Sequence, residues 1–203
     1  MQRRRFLSAL GAGAAGLAAA PFVSTANAAE GETIHWKMVT SWPKNFPALG
    51  TGANEFASLI GQLSGGRLQV KVYGAGEMVP ALEVFDAVSS GTAQMGHSAS
   101  YYWKGKVPAS AFFTSVPFGL NAQEMNAWLH YGGGLELWRE LYEPFNLVPY
   151  AGGNTGVQMA GWFNREINSI ADIKGLKMRI PGLGGEVFTR AGGISVTLPG
   201  GEL

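Results

Sequence analysis

Cysteine is absent from the 203 residues. Disulfides, thiolate metal sites and thiol catalysis are thereby excluded, and stability rests on packing. Histidine is scarce. His35, His97 and His130 stand at no i, i+4 spacing, and no acidic residue lies between two of them as on a zinc-binding helix. Lone, hydrogen-bonded histidines are the plainer reading, and ligands that converge only in the fold stay open. No Lys/Arg cluster occurs outside the first five residues, so there is no electrostatic footprint for DNA or RNA. There is also no internal repeat and no low-complexity linker.

The first 28 residues read as an export signal and are set aside from fold reasoning. Arg3-Arg4-Arg5-Phe6-Leu7 fits two arginines followed by x-Phe-Leu, the twin-arginine pattern. A mild apolar stretch over 9–23 follows, and Ala26-Asn27-Ala28 offers the small side chains a signal peptidase accepts. The stretch is too short and too diluted with Gly and Ala for a membrane span, which needs roughly 20 strongly apolar residues. The expected location is the periplasm. Loss of the three arginines leaves 12 basic residues against 14 acidic, a net charge of −2.

From Thr33 onward, β-like runs alternate with helical ones. Residues 34–40 have β-branched and aromatic character, and the turn Ser41-Trp42-Pro43 follows. Leu49, Ala53, Phe56, Ile60 and Leu63 recur at spacings of three and four, which predicts a helix buried on that face. Gly65-Gly66 ends it. Leu68, Val70 and Val72 alternate as a strand does. Ala81, Val84, Phe85 and Val88 give a second helix closed by Gly91, and 93–96 gives a third short strand. This β-α-β-α-β order predicts an α/β fold with a largely parallel sheet. Asn121 with Glu124 predicts a capping box, with Met125, Trp128 and Leu129 buried behind it. Gly132-Gly133-Gly134 breaks that helix and 135–142 begins the next. Strands are expected at 147–150, 157–163, 177–180 and 194–198, with short helices at Ser169-x-x-Asp172 and over 184–191. The change at Ala151-Gly152-Gly153 suggests a crossing between two α/β lobes, 29–150 and 151–203. In such folds ligands sit beyond the carboxyl ends of strands.

Four motifs carry candidate chemistry. Gly96-His97-Ser98-Ala99-Ser100 approaches the G-x-S-x-G nucleophile elbow but ends in Ser. The elbow needs a helix directly after its serine, and an aromatic patch, Tyr101-Tyr102-Trp103, stands there instead. Gly182-Leu183-Gly184-Gly185 lacks the third glycine of a dinucleotide fingerprint, with Val187 in its place. What remains is a helix N-terminus with free N–H groups, which favours an anion. Arg179 precedes this turn at the end of a strand. Its guanidinium suits a carboxylate held by two parallel hydrogen bonds, and it suits equally a surface position on an edge strand. Gln158 offers a donor and an acceptor from the preceding expected strand, or is an ordinary polar strand residue.

Several blocks together resemble a known family. They are Thr40-Ser41-Trp42-Pro43, Gly74-Ala75-Gly76-Glu77, residues 91–96, Val116-Pro117-Phe118-Gly119-Leu120, Gly153-Asn154-Thr155-Gly156-Val157-Gln158 and residues 176–182. The chain resembles the extracytoplasmic solute receptors of tripartite ATP-independent periplasmic (TRAP) transporters, in the branch that binds α-keto and α-hydroxy acids. The resemblance implies a class II periplasmic-binding-protein-like fold, two α/β lobes around a hinge that close on a ligand. It implies that Arg179 grips the ligand carboxylate and that an aromatic from Tyr101 and Tyr102 closes over it. Gln158 then helps to hold the ligand oxygen and a bridging Na⁺ or Ca²⁺ ion. The implied partners are a small organic acid and the membrane components of the transporter, with no catalysis.

The resemblance also implies that relatives continue past Gly200-Gly201-Glu202-Leu203 into a further helix. A tryptophan and an acidic residue that complete the cation site lie there, as does a long helix used in some homodimers. The second lobe is therefore expected to be incomplete in this chain, and the chain alone to bind neither pyruvate nor lactate. The rival class is an exported metal- or cofactor-dependent enzyme.

Overall fold

Ile34, Trp36, Val39 and Thr40 give β-branched and aromatic character to strand β1, Ile34–Thr40. Its first four residues are exposed, and Met38, Val39 and Thr40 are buried. The computed structural model describes residues Glu32–Leu203, so the export-signal segment lies outside the described residues. Strands β2 (Leu68–Tyr73) and β3 (Met95–His97) flank β1 on either side in the order β2-β1-β3, both parallel to it. Parallel neighbours require crossover connections. Helix α1 (Leu49–Leu63) supplies one, and α2 (Val84–Ser89) the other. The expected β-α-β-α-β order is present.

Helix α1 buries the expected apolar face only in part. Gly50, Ala53 and Ala57 are buried, whereas Phe56 is half-exposed and Leu63 is 87% exposed. Gly50 packs against the turn before the helix, where a Cβ would stand 2.6 Å from the Pro43 carbonyl oxygen. The same close approach recurs where α2 crosses β3. A Cβ on Gly96 would stand 2.6 Å from a Val84 methyl, a distance no packed core accommodates. Val39, Val84, Ala87 and Ala93 form the core there.

A second core is built from aromatics. Phe85 of α2 packs with Val107 and Tyr142, and it faces Trp103, Tyr142 and Phe145 at ring-centroid distances of 5.2, 5.9 and 5.2 Å. Helices α3 (Ala122–Tyr131) and α4 (Gly134–Tyr142) close this side. The capping box at the start of α3 is complete: Asn121 Oδ1 accepts from the Glu124 amide, and the Asn121 amide donates to the Glu124 carboxylate. Met125 and Leu129 are buried as expected, and Trp128 is half-buried. Phe113 is held between the rings of Trp128 and Trp138, with interplanar angles of 13° and 3°.

The expected strands at 147–150 and 157–163 are not formed. A β-prone run needs a partner ladder, and neither finds one. Val148, Val157, Met159 and Trp162 are exposed instead, and Gln158 therefore sits on an irregular segment. A second sheet does form from β4 (Lys177–Arg179) and β5 (Ile194–Val196), parallel, with α5 (Gly182–Arg190) as the crossover. Helix α5 begins two residues earlier than expected, directly after Pro181. The Ser169–Asp172 capping box is also present, on the 3₁₀ turn Ile170–Ile173. The described residues thus form one compact unit, Glu32–Leu203, that holds two parallel sheets with their crossover helices.

Candidate functional site

Both sheets deliver residues from the carboxyl ends of their strands. After β3 the chain enters a 3₁₀ turn, Ser100–Trp103. This corrects the expectation that the aromatic patch begins no helical structure. The turn is anchored from several sides. Ser110 Oγ donates to the Ser100 carbonyl at 2.8 Å, the Tyr101 amide donates to Thr114 Oγ1 at 3.2 Å, and Trp103 Nε1 donates to the Tyr142 hydroxyl at 2.5 Å. Ser110 is fully buried. Tyr101 and Tyr102 therefore project from a braced support, with their rings edge to face at 4.7 Å.

Arg179 is the last residue of β4, held in register opposite Val196. Its Nε donates to the Leu198 carbonyl and its Nη2 to the Tyr102 hydroxyl, both at 2.9 Å. The bond to Tyr102 joins the carboxyl ends of β3 and β4, and the bond to Leu198 ties the guanidinium to the end of β5. Both acceptors are neutral, and no described carboxylate forms an ion pair with Arg179. Two of its five N–H groups are committed, and three remain. Tyr102 accepts the guanidinium's hydrogen bond, and the Tyr101 hydroxyl lies within hydrogen-bonding reach of both Tyr102 and Arg179. Tyr101 packs beside Tyr102, and burial, then that neighbour, pushes its hydroxyl up to about 12 against the pull of Arg179.

Gly182 explains how closely the second sheet reaches the first. Its φ is 69°, and a Cβ there would stand 2.9 Å from that of Tyr101. Only glycine meets both demands without strain. Pro181, the residue before α5, caps none of the helix's first N–H groups with a side chain, so the partial positive charge of that end adds to Arg179. One turn further, Glu186 pairs with Lys104 at 3.2 Å and with Arg190 at 2.5 Å. The hydrogen bond from Lys104, then that from Arg190, holds its carboxyl below the usual range. Lys104, Glu186 and the Leu198 carbonyl were missed by sequence reasoning. The i, i+4 spacing of Glu186 and Arg190 was a legible signal, and a backbone carbonyl has none.

Gln158 lies apart from this cluster in its hydrogen bonding. Its Nε2 donates to Thr155 Oγ1 at 3.1 Å, it is exposed, and no hydrogen bond joins it to Arg179. Its Oε1 has no hydrogen-bond partner among the described residues. Such an oxygen suits a hard cation, so the residue fits a Na⁺ or Ca²⁺ ligand as one donor of a larger set. Three His, Asp or Glu side chains converge nowhere among the described residues. Ser98, the serine of the elbow-like motif, shares a 2.5 Å hydrogen bond with Ser41, and both ring nitrogens of His97 are engaged elsewhere.

Comparison with known proteins identifies the family of the chain. Residues 38–203 match the family described as bacterial extracellular solute-binding protein, family 7. The monocarboxylate 2-oxoacid-binding periplasmic protein of Nostoc sp. is 52% identical over 172 residues, 84% of this chain and 46% of that protein. Two crystal structures of TRAP periplasmic solute binding proteins are each 48% identical, with TM-scores of 0.82. One, from Pseudoalteromonas atlantica T6c, holds sodium and pyruvate; the other, from Colwellia psychrerythraea, holds calcium and pyruvate. Each comparison covers 85% of this chain and 52% of the other. The chain spans about half the length of the relatives it matches. With its family signature running from Met38 to the last residue and its fold shared at that level, the chain belongs to the family 7 bacterial extracellular solute-binding proteins.

Proposed function

We propose that this chain serves in the periplasm to bind a small 2-oxo or 2-hydroxy acid and to present it to the membrane components of a TRAP transporter, without catalysing a reaction. The observation that carries the proposal is the state of Arg179. It is a half-buried cation at the end of a strand, oriented by two neutral acceptors and paired with no carboxylate. A ligand carboxylate supplies the missing charge and takes two of the three remaining N–H groups. Tyr102 accepts from Arg179 and keeps its own hydrogen to donate to a ligand oxygen. Pyruvate in two 48%-identical relatives matches this chemistry. Gln158 Oε1 would hold the bridging Na⁺ or Ca²⁺, which neutralises charge on the ligand oxygens. We place the boundary between the two lobes at 150/151.

The test is calorimetry with pyruvate and lactate, in sodium and in calcium buffers. It uses a chimera joining residues 32–203 to the remaining length of the Nostoc relative. The chimera is expected to bind. Arg179→Ala removes one partner of a buried charge pair, about 2–5 kcal/mol, or roughly 30-fold to several thousand-fold in affinity. Arg179→Lys is also expected to bind poorly, because a point charge lacks the planar fork. Unchanged affinity in Arg179→Ala removes this residue from the site and the proposal with it.

A further inference from the structure

His97 closes β3 and lies away from the Arg179 hydrogen bonds, yet both of its ring nitrogens are engaged. The Trp42 indole donates to Nδ1 at 3.0 Å. A nitrogen that accepts carries no hydrogen, so the neutral ring bears its hydrogen on Nε2. Nε2 faces the Gly152 carbonyl at 3.3 Å and donates to it. The ring also stands edge-on to Trp42, with centroids 5.1 Å apart, and a Cβ on Gly152 would lie only 3.2 Å from Nε2. One imidazole thus bridges the buried Ser41-Trp42 turn after β1 and the irregular crossing at 151–153.

We propose that His97 is a pH-operated tether: as a neutral ring it ties the turn after β1 to the crossing at Gly152, and as a cation it releases Trp42. The imidazolium carries hydrogens on both nitrogens. Nδ1–H then points at the indole N–H, donor against donor, while the bond to Gly152 persists. The bridge opens on one side only, and the crossing is freed from the turn. Burial is the larger influence on the ring and lowers its midpoint from the ordinary value, against the opposing bond to Gly152. No charged or titratable side chain of β1, α2, the Ser41-Trp42 turn or the crossing contributes to its titration. The inference is independent of which ligand Arg179 holds.

Nuclear magnetic resonance of the histidine- and tryptophan-labelled chain tests it. Three imidazoles and six indoles are assigned by His97→Gln and Trp42→Phe. At pH 7.5 His97 is expected as the Nε2–H tautomer, with a midpoint below about 6.5. The Trp42 indole signal is expected to move with that same midpoint, and to be indifferent to pH in His97→Gln. Trp42→Phe removes the opposing donor and is expected to raise the His97 midpoint. This second measurement stands even where the glutamine variant folds poorly. An Nδ1–H tautomer, an indole response that survives in His97→Gln, or an unmoved midpoint in Trp42→Phe overturns the proposal.

Discussion

Tyr102 and Tyr101 are adjacent in sequence and unequal in position. Tyr102 accepts the Arg179 hydrogen bond at 2.9 Å, and Tyr101 packs against Gly182. Tyr102→Phe removes an acceptor that orients the guanidinium and is expected to weaken acid binding by several-fold to about tenfold, the worth of one hydrogen bond. Tyr101→Phe is expected to cost less. Calorimetry on the two variants in the chimera ranks them, and a larger loss in Tyr101→Phe reverses the assignment. Sequence reasoning reached both tyrosines but could not choose between them, because consecutive side chains on a 3₁₀ turn diverge in directions that pattern does not encode. Arg179 was legible because its position at a strand end is a local property. The Leu198 carbonyl that orients it has no side-chain signature.

Helix α1 shows how far periodicity carries at the scale of elements. The spacing of Leu49, Ala53, Phe56, Ile60 and Leu63 located the helix correctly and its buried face only in part, since the buried residues are Gly50, Ala53 and Ala57. A flat, closely approached surface selects for small residues, and hydrophobicity alone favours large ones. Ala57→Leu is therefore expected to destabilise by about 1–3 kcal/mol through overpacking. Leu63→Gln, at a position 87% exposed, is expected to stay within about 0.5 kcal/mol. Urea denaturation of both variants measures the difference, and a costly Leu63→Gln would restore the larger face as the buried one. The capping boxes at Asn121 and Ser169 were readable because all their atoms lie within four residues. The strands expected at 147–150 and 157–163 were misread for the opposite reason: pairing depends on a distant partner that a short window does not contain.

At the scale of the whole molecule, two properties depend on conditions outside the fold. The first is pH. His97 titrates lower in the folded chain than its ordinary value, so the unfolded chain binds more protons between the two midpoints. Its contribution to stability is fully present above about pH 6.5 and declines as pH falls toward the folded midpoint. Thermal unfolding from pH 7.5 downward is expected to show this decline, reduced in His97→Gln. Equal slopes in both proteins would assign the decline to other groups. The second property is export. Arg3→Lys with Arg4→Lys is expected to retain the precursor in the cytoplasm, and the unaltered chain is expected to reach the periplasm and to begin at Ala29. Fractionation and N-terminal sequencing distinguish the two, and normal export of the double variant would remove the twin-arginine assignment.

The parallel order β2-β1-β3 also sets a timetable. Met38 on the central strand meets Val72 on one side and Met95 on the other, so the first of the three strands to be synthesised is fully flanked only when the last has been made. At about 5–20 residues per second, β1 waits on the order of several seconds for β3 to emerge. During that interval the residues destined for the driest part of the sheet have one edge without a ladder. Pairing of this kind between distant segments is intrinsically slow and open to aggregation. The nascent chain consequently has a window in which a chaperone or an export factor competes with its own third strand for the edge of β1.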